Sequence, residues 1–331
     1  MSRSAARPSG FSLVAPVVLA VLAGAGLATQ SRINGTLADH VGSGYLAAVI
    51  SFGSGLVLLS AALLVSRRGR AGMGRISRAL RRPADGPGTG SRPVLRPWQC
   101  LGGAAGGFFV ASQGLAVGTL GVALFIVAFV TGQSVGSLVV DRLGIGPGGV
   151  RFVTLPRAVG PLLTVVAVAI AMSGGVGAPA ALALAVLPLL AGAGSAWQQA
   201  VNGRVRAAAD DVLAATFVNF LVGTAALVLA LGVSMLFDGV PDGALPGNPL
   251  LYTGGAIGIG FIAIGAAVVH RVGVLLLSLS MIAGQIVGAL VLDVVVPGAD
   301  APGVRTYVGA ALTLVAVAIP LAFERRGARP A

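Results

Sequence analysis

Lysine is absent from these 331 residues, glutamate occurs once, as Glu324, and cysteine once, as Cys100. Without lysine there is no phosphate-loop lysine and no Schiff base. One cysteine cannot close a disulfide within the chain, and the two histidines, His40 and His270, are expected on opposite sides of a membrane, so neither a metal cluster nor a cofactor is expected. No Ser/His, Cys/His or paired-carboxylate constellation comes within reacting distance in the apolar runs, so an enzyme is not expected either. Charge of any kind is scarce: 10% of residues are charged and 56% hydrophobic, against roughly 25% charged in soluble domains. Such a composition cannot cover a water-facing surface, and lipid is the solvent that fits.

What is present is a series of ten apolar runs, near residues 12–34, 44–65, 98–118, 120–140, 153–172, 180–203, 212–236, 250–269, 272–296 and 304–323. Each is close to the roughly 20 residues that a helix needs to cross a bilayer core about 30 Å thick. Alanine, glycine, valine and leucine fill them without the period-2 alternation of a barrel strand. The expected fold is an all-α polytopic membrane protein with ten transmembrane helices. Arg3 and Arg7 before an apolar run imitate a cleavable signal, but the run from Phe11 is retained on this reading, because a second copy of its motif lies mid-chain.

Arginine sets the expected orientation. With the N-terminus inside, 20 of the 22 arginines fall on cytoplasmic segments, nine of them between Arg67 and Arg96. The loop of Asp238 and Asp242, expected to be external, has no arginine, as the positive-inside rule expects. Both termini are then cytoplasmic, in a bacterial-type inner or plasma membrane. The arginine-rich stretch 66–97 is also rich in glycine and proline and is expected to be a disordered cytoplasmic loop touching anionic lipid headgroups. It has no aromatic residue before Trp98 to stack on bases, so nucleic acid is not an expected partner.

The chain repeats itself. AGAGLATQSRING at 23–35 returns as AGAGSAWQQAVNG at 191–203, and Ser51, Phe52 and Gly55 match Asn219, Phe220 and Gly223 at the same offset of 168. Gly102 and Gly103 match Gly254 and Gly255 at an offset of 152, as GQSVGSLVVD ending at Asp141 matches GQIVGALVLD ending at Asp293. LTVVAVAI from Leu163 and LTLVAVAI from Leu312 close the series. The loss of 16 in the offset corresponds to the arginine-rich insertion. The halves are 1–173 and 174–331, each with five helices. Because five is odd, the second half is expected upside down relative to the first, a 5+5 inverted-topology repeat suited to alternating access.

These residues resemble a known family. The G-x-x-x-Q ending at Gln30, the GGFFV of Gly106 to Val110, and the twice-present G-Q-x-x-G-x-L-x-x-D are similar to those of the YdcZ-type family of the drug/metabolite transporter (DMT) superfamily. The resemblance covers nearly all of the chain outside the arginine-rich stretch. It implies a DMT-like ten-helix transporter made of two fused five-helix units, and it implies no substrate.

Polar groups inside hydrocarbon are costly unless partnered or wet, so they mark candidate sites. Gln30 and Asn34 share a helix face, as do Gln198 and Asn202; with Gln133 and Gln285 they are the candidates for substrate binding or gating. Gln30 is expected near the external side and Gln198 near the cytoplasmic side, as paired gates. Interhelical hydrogen bonding alone would equally account for such amides. Gln133 and Gln285 begin stripes through Ser137 or Ala289 to Asp141 or Asp293, faces expected to point into the bundle. Asp141 and Asp293, both close to helix ends, are the acids available for ion coupling, and an interfacial role, with Arg142 beside Asp141, equally fits their position. Gly102, Gly106, Gly132, Gly136, Gly254, Gly258, Gly284 and Gly288 read as helix-packing positions. The expected partners are a small-molecule substrate and membrane lipids. The expected function is secondary transport, an exporter of a metabolite or drug-like compound, with a lipid flippase as the alternative.

Overall fold

A computed structural model describes residues 11–81, 94–146, 149–150, 179–295 and 304–315 except 306, with scattered helical residues between 158 and 170. The described residues form helices and no strand. These are α1 (Phe11–Val41), α2 (Gly44–Val65), α3 (Arg67–Leu80), α4 (Gly102–Arg142), α5 (Pro179–Ala209), α6 (Val212–Asp238) and α7 (Gly254–Val295), with short 3-10 turns at Pro97–Leu101 and Pro249–Tyr252. Among them Ala15–Val41, Gly44–Val65, Pro97–Arg142 and Val212–Asp238 are long and apolar enough to cross a membrane. Their outer faces carry bare apolar side chains such as Leu22, Val57, Leu229 and Phe237. In water such surface would be unfavourable, and lipid accepts it.

Two of these helices are hairpins. At Gly121 the backbone of α4 takes φ 74° and ψ 161°, a conformation that a side chain disfavours and glycine accepts. Phe109 and Phe129 then meet with ring centroids 4.5 Å apart, where a straight helix would hold them about 30 Å apart at 1.5 Å per residue. The two runs expected at 98–118 and 120–140 are therefore the outgoing and return arms of α4. In α7, Ile257 lies against Gly26, and Met281 against Gly24, on one turn of α1. This chain too has doubled back between them, as the runs at 250–269 and 272–296 require.

Short turns join the long helices. Gly42 at φ 66° ends α1, and Ser43 caps α2 through the Leu46 amide. At the repeat-related positions Asp210 stands at φ 46°, and Asp211 Oδ1 caps α6 by accepting from the Ala214 amide at 2.8 Å. One arginine-rich expectation is corrected here. Residues 67–80, read as part of a disordered loop, form α3, because Gly69, Gly72, Ile76 and Ala79 recur at helical spacing and bury one face. Ser66 ends α2 and caps α3 through the Gly69 amide at 3.0 Å. Residues 82–93 lie outside the described residues, as do most of the run at 153–172 and residues 316–323 of the last run.

The core lies where α4 crosses α5 and α7 crosses α1. Phe52, Phe109, Phe125, Phe129 and Phe220 occupy its centre with Val117, Val127 and Ile286. Small residues let the crossings close. A Cβ on Gly132 would fall on the Leu189 backbone, and one on Gly136 would stand 2.7 Å from Ala193 Cα. The repeat-related contacts are Gly284 on Val21 and Gly288 on Ala25. From the other side, Gly192 meets Phe129 and Gly24 meets Met281. The doubled AGAG motif is thus one surface of a close helix crossing, made twice.

Candidate functional site

Gln30, Ser31 and Asn34 enter the bundle from the second half of α1 and meet the first arms of α4 and α7. Gln30 Nε2 donates to the Gly254 carbonyl at 2.8 Å, and Asn34 Nδ2 to Gln113 Oε1 at 2.6 Å. Gln113 Nε2 donates to Ser31 Oγ at 2.7 Å, and the Ser31 hydroxyl to the Leu27 carbonyl at 3.0 Å. The direction of this chain follows from the Ser31 hydroxyl donating to the Leu27 carbonyl. Ser31 commits its one proton to Leu27 and so accepts from Gln113 nitrogen, which leaves the Gln113 oxygen for Asn34 nitrogen. The Asn34 oxygen therefore faces away, toward Gly254. There Asn34 Oδ1 and Ser51 Oγ lack a hydrogen-bond partner, each 2.6 Å from the point where a Cβ on Gly254 would stand. This cluster is sealed: Gln30 is 4% exposed, and Ser31, Asn34 and Gln113 are 0% exposed.

The repeat-related cluster is built differently. Asn219 Oδ1 accepts from Gln198 Nε2 at 2.9 Å and from Asn202 Nδ2 at 2.8 Å. Asn219 stands where the first cluster has Ser51, and it is buried, whereas Gln198 and Asn202 are half-buried. Asn202 lies beside Gly102, and Asn34 reaches toward the first arm of α4 at Gln113. Eleven residues of one helical arm separate these contacts, about 17 Å at 1.5 Å per residue.

Between the clusters lie Phe52 and Phe220. The Phe52 Cζ is 3.3 Å from a Cβ position on Gly106, the glycine beside Gln198. The Phe220 Cζ is 3.6 Å from that on Gly258, the glycine beside Gln30. Four of the eight expected packing glycines meet side chains of the neighbouring helix rather than its backbone. Gly102 and Gly106 make room for Asn202 and Gln198, and Gly254 and Gly258 for Asn34 and Gln30. Backbone packing falls instead to their neighbours: a Cβ on Gly103 would meet the Asn219 and Gly223 backbone, and one on Gly255 the Ser51 and Gly55 backbone. One residue turns the helix by about 100°, which is enough to exchange the partner.

The remaining candidates are placed apart from these clusters. Gln285 is buried with its Oε1 unpartnered, and Ala289 below it is buried as well. Gln133 is half-buried, its Oε1 also unpartnered, but Ser137 on the same stripe is exposed and donates to the Gln133 carbonyl at 2.7 Å. The stripe toward Asp141 therefore leaves the bundle interior at Ser137, contrary to expectation. Asp141 is half-buried in the last turn of α4; the Asp293 side chain lies outside the described residues. Among the described residues no three His, Cys, Asp or Glu side chains group as metal ligands.

Sequence reasoning missed the aromatic pair and four of the polar partners, Ser31, Ser51, Gln113 and Asn219. Ser51, Phe52, Asn219 and Phe220 were legible only as matched repeat positions. Gln113 has no counterpart, since the position 152 residues on is Gly265; its one signal is an amide within an apolar run.

Known proteins bear on this arrangement. Residues 15–170 and 183–319 match a family model described as "Putative inner membrane exporter, YdcZ". No curated protein matches the chain. A solved structure described only as "Crystal structure of protein" covers 97% of this chain and 100% of its own, with a TM-score of 0.54 and 20% sequence identity; that likeness concerns the fold alone.

Proposed function

Because the chain belongs to the YdcZ family of inner membrane exporters, we propose that it exports a small molecule by alternating access, its two five-helix halves lying in opposite orientations across the membrane. The observation that carries this reading is an inequality between equivalent residues. Gln30 and Asn34 are sealed, while Gln198 and Asn202, their partners in the repeat, are half-open. The contacts around them recur with roles exchanged: Gly103 on Asn219 and Gly255 on Ser51, Phe52 over Gly223 and Phe220 over Gly55. A pair of halves that can exchange these surroundings opens one cluster as it closes the other. The end at Gln198 and Asn202 faces the cytoplasm on the arginine count, and the substrate enters there.

The aromatic pair is the constriction on this reading, and the amides are the gates on either side. Among the described residues the partners in both clusters are amides, a hydroxyl and backbone carbonyls, a lining that fits a neutral polar substrate. Asn34 Oδ1 is an acceptor without a donor, which favours a substrate rich in hydroxyl or amide N–H groups. Asp141 and Asp293 are the acids proposed for any ion coupling.

Thermal unfolding of the purified protein against a panel of hydroxylated and amide-bearing metabolites, lipophilic cations and lipid headgroups tests the proposal. A ligand present at 100 times its Kd stabilises the folded state by about 2.7 kcal/mol. Stabilisation by a metabolite, lost in the Gln30→Ala/Gln198→Ala variant, supports the exporter. Stabilisation by lipid headgroups alone refutes it in favour of the flippase.

A further inference from the structure

We propose that α3 is an interfacial helix whose outer face takes anionic phospholipid headgroups. The chain ends α2 with the bare apolar side chains of Leu64 and Val65, 75% and 83% exposed. One residue later it begins a segment, 67–81, with six arginines and no acid. The boundary between hydrocarbon and water therefore falls at Ser66. From there α3, about 21 Å long at 1.5 Å per residue, runs beside that boundary.

Its inner face is fixed to the bundle. Gly72 lies against Asp211 and Ala214, Gly69 against Leu213, and Ile76 and Ala79 join Val205, Ala208 and Ala209 in one apolar cluster. Arg75 Nε donates to the Ala209 carbonyl at 2.5 Å, at the end of α5. Among the described residues the acids that α3 meets are Asp210, through its carbonyl, and Asp211, which is occupied as the cap of α6.

The outer face is different. Arg67, Arg78 and Arg81 are exposed, and their spacings of 11 and 3 residues place them on one side of the helix, opposite Gly69 and Ile76. Three guanidinium groups on a rigid helix at the headgroup level fit phosphate-bearing anionic lipids, and each adds attraction near such a surface. Because Arg75 ties α3 to the α5–α6 turn, a headgroup held here also holds the end of the helix that carries Gln198 and Asn202. The inference rests on membrane insertion and not on which side is cytoplasmic or what is exported.

The test is lipid retention by the full chain. Protein extracted from bilayers of equal phosphatidylglycerol and phosphatidylcholine is examined by native mass spectrometry, beside R67Q/R78Q/R81Q and R67K/R78K/R81K variants. The expected result is phosphatidylglycerol retained on the wild type and the lysine variant and reduced on the order of tenfold on the glutamine variant, with phosphatidylcholine unchanged. Equal phosphatidylglycerol retention by the wild type and the glutamine variant overturns the proposal, as does equal retention of both lipids by the wild type. The lysine variant guards against misfolding: loss in it as well as in the glutamine variant contradicts a charge-based site.

Discussion

Phe52 and Phe220 stack with ring centroids 4.8 Å apart and 27° between their planes, each ring over a glycine of the other's helix, Phe220 on Gly55 and Phe52 on Gly223. The two residues occupy the same position in the two halves of the chain. If the halves are related by a two-fold axis, as proposed, a residue that touches its own repeat counterpart lies near that axis. The amide clusters lie on either side of the pair.

Removing either ring should open the centre. Phe220→Ala deletes a buried aromatic side chain and is expected to cost about 3–5 kcal/mol, and on the proposed pathway it removes the constriction between the clusters. Vesicles containing the variant should pass small neutral solutes faster than wild-type vesicles, measured by solute-driven shrinkage and swelling. Phe220→Leu should keep most of the stability and a smaller share of the leak. Vesicles as tight as wild type in both variants would remove the pair from the pathway.

Adjacent glycines should answer differently to one methyl group. Gly103→Ala places a Cβ on the Asn219 and Gly223 backbone, an overpacking expected to cost about 1–3 kcal/mol or more. Gly106→Ala meets the end of the Gln198 side chain, which can rotate away. Thermal unfolding should therefore show Gly103→Ala as the less stable variant, with Gly106→Ala near wild type but impaired in transport. The reverse order in stability would contradict the assignment of the two glycine faces.

Gln113 should be coupled to Asn34. Gln113→Leu strands the Asn34 amide nitrogen in a sealed site, and an unsatisfied buried group costs about 1–3 kcal/mol. Gln113→Leu/Asn34→Leu removes both partners and should lose less than the sum of the single variants. A double-mutant cycle on unfolding free energies reads the difference, and strict additivity would mean that the 2.6 Å contact carries no coupling.

Much of this arrangement was legible in the sequence, because in lipid the constraints are few. Every spanning helix must be apolar, so runs such as 44–65 and 212–236 stand out, and the amide pairs Gln30/Asn34 and Gln198/Asn202 stand out against them. What was not legible depends on rotation and partners. Gly102 and Gly103 differ in role by one helical step, which no spacing rule assigns without knowing the neighbour. The α3 segment looks like loop because arginine, glycine and serine dominate it; only contact with α5 and α6 makes its narrow stripe of Gly69, Gly72, Ile76 and Ala79 a buried face. Gln113 carried no repeat partner to give it away. The Asp210 turn shows the opposite case, since its counterpart Gly42 marks the same bend with a residue that announces it.

Reciprocity between the two amide clusters can be read by cysteine labelling in a Cys100→Ser background. Gln30→Cys and Gln198→Cys, combined in one chain, are treated with a membrane-impermeant maleimide from one side of sealed vesicles and then from the other. Cys at 198 should react only from the side bearing α3 and Cys at 30 only from the opposite side, and modifying either should protect its counterpart. Both positions reacting from one side, or each reacting at a rate indifferent to the other, would contradict that reciprocity.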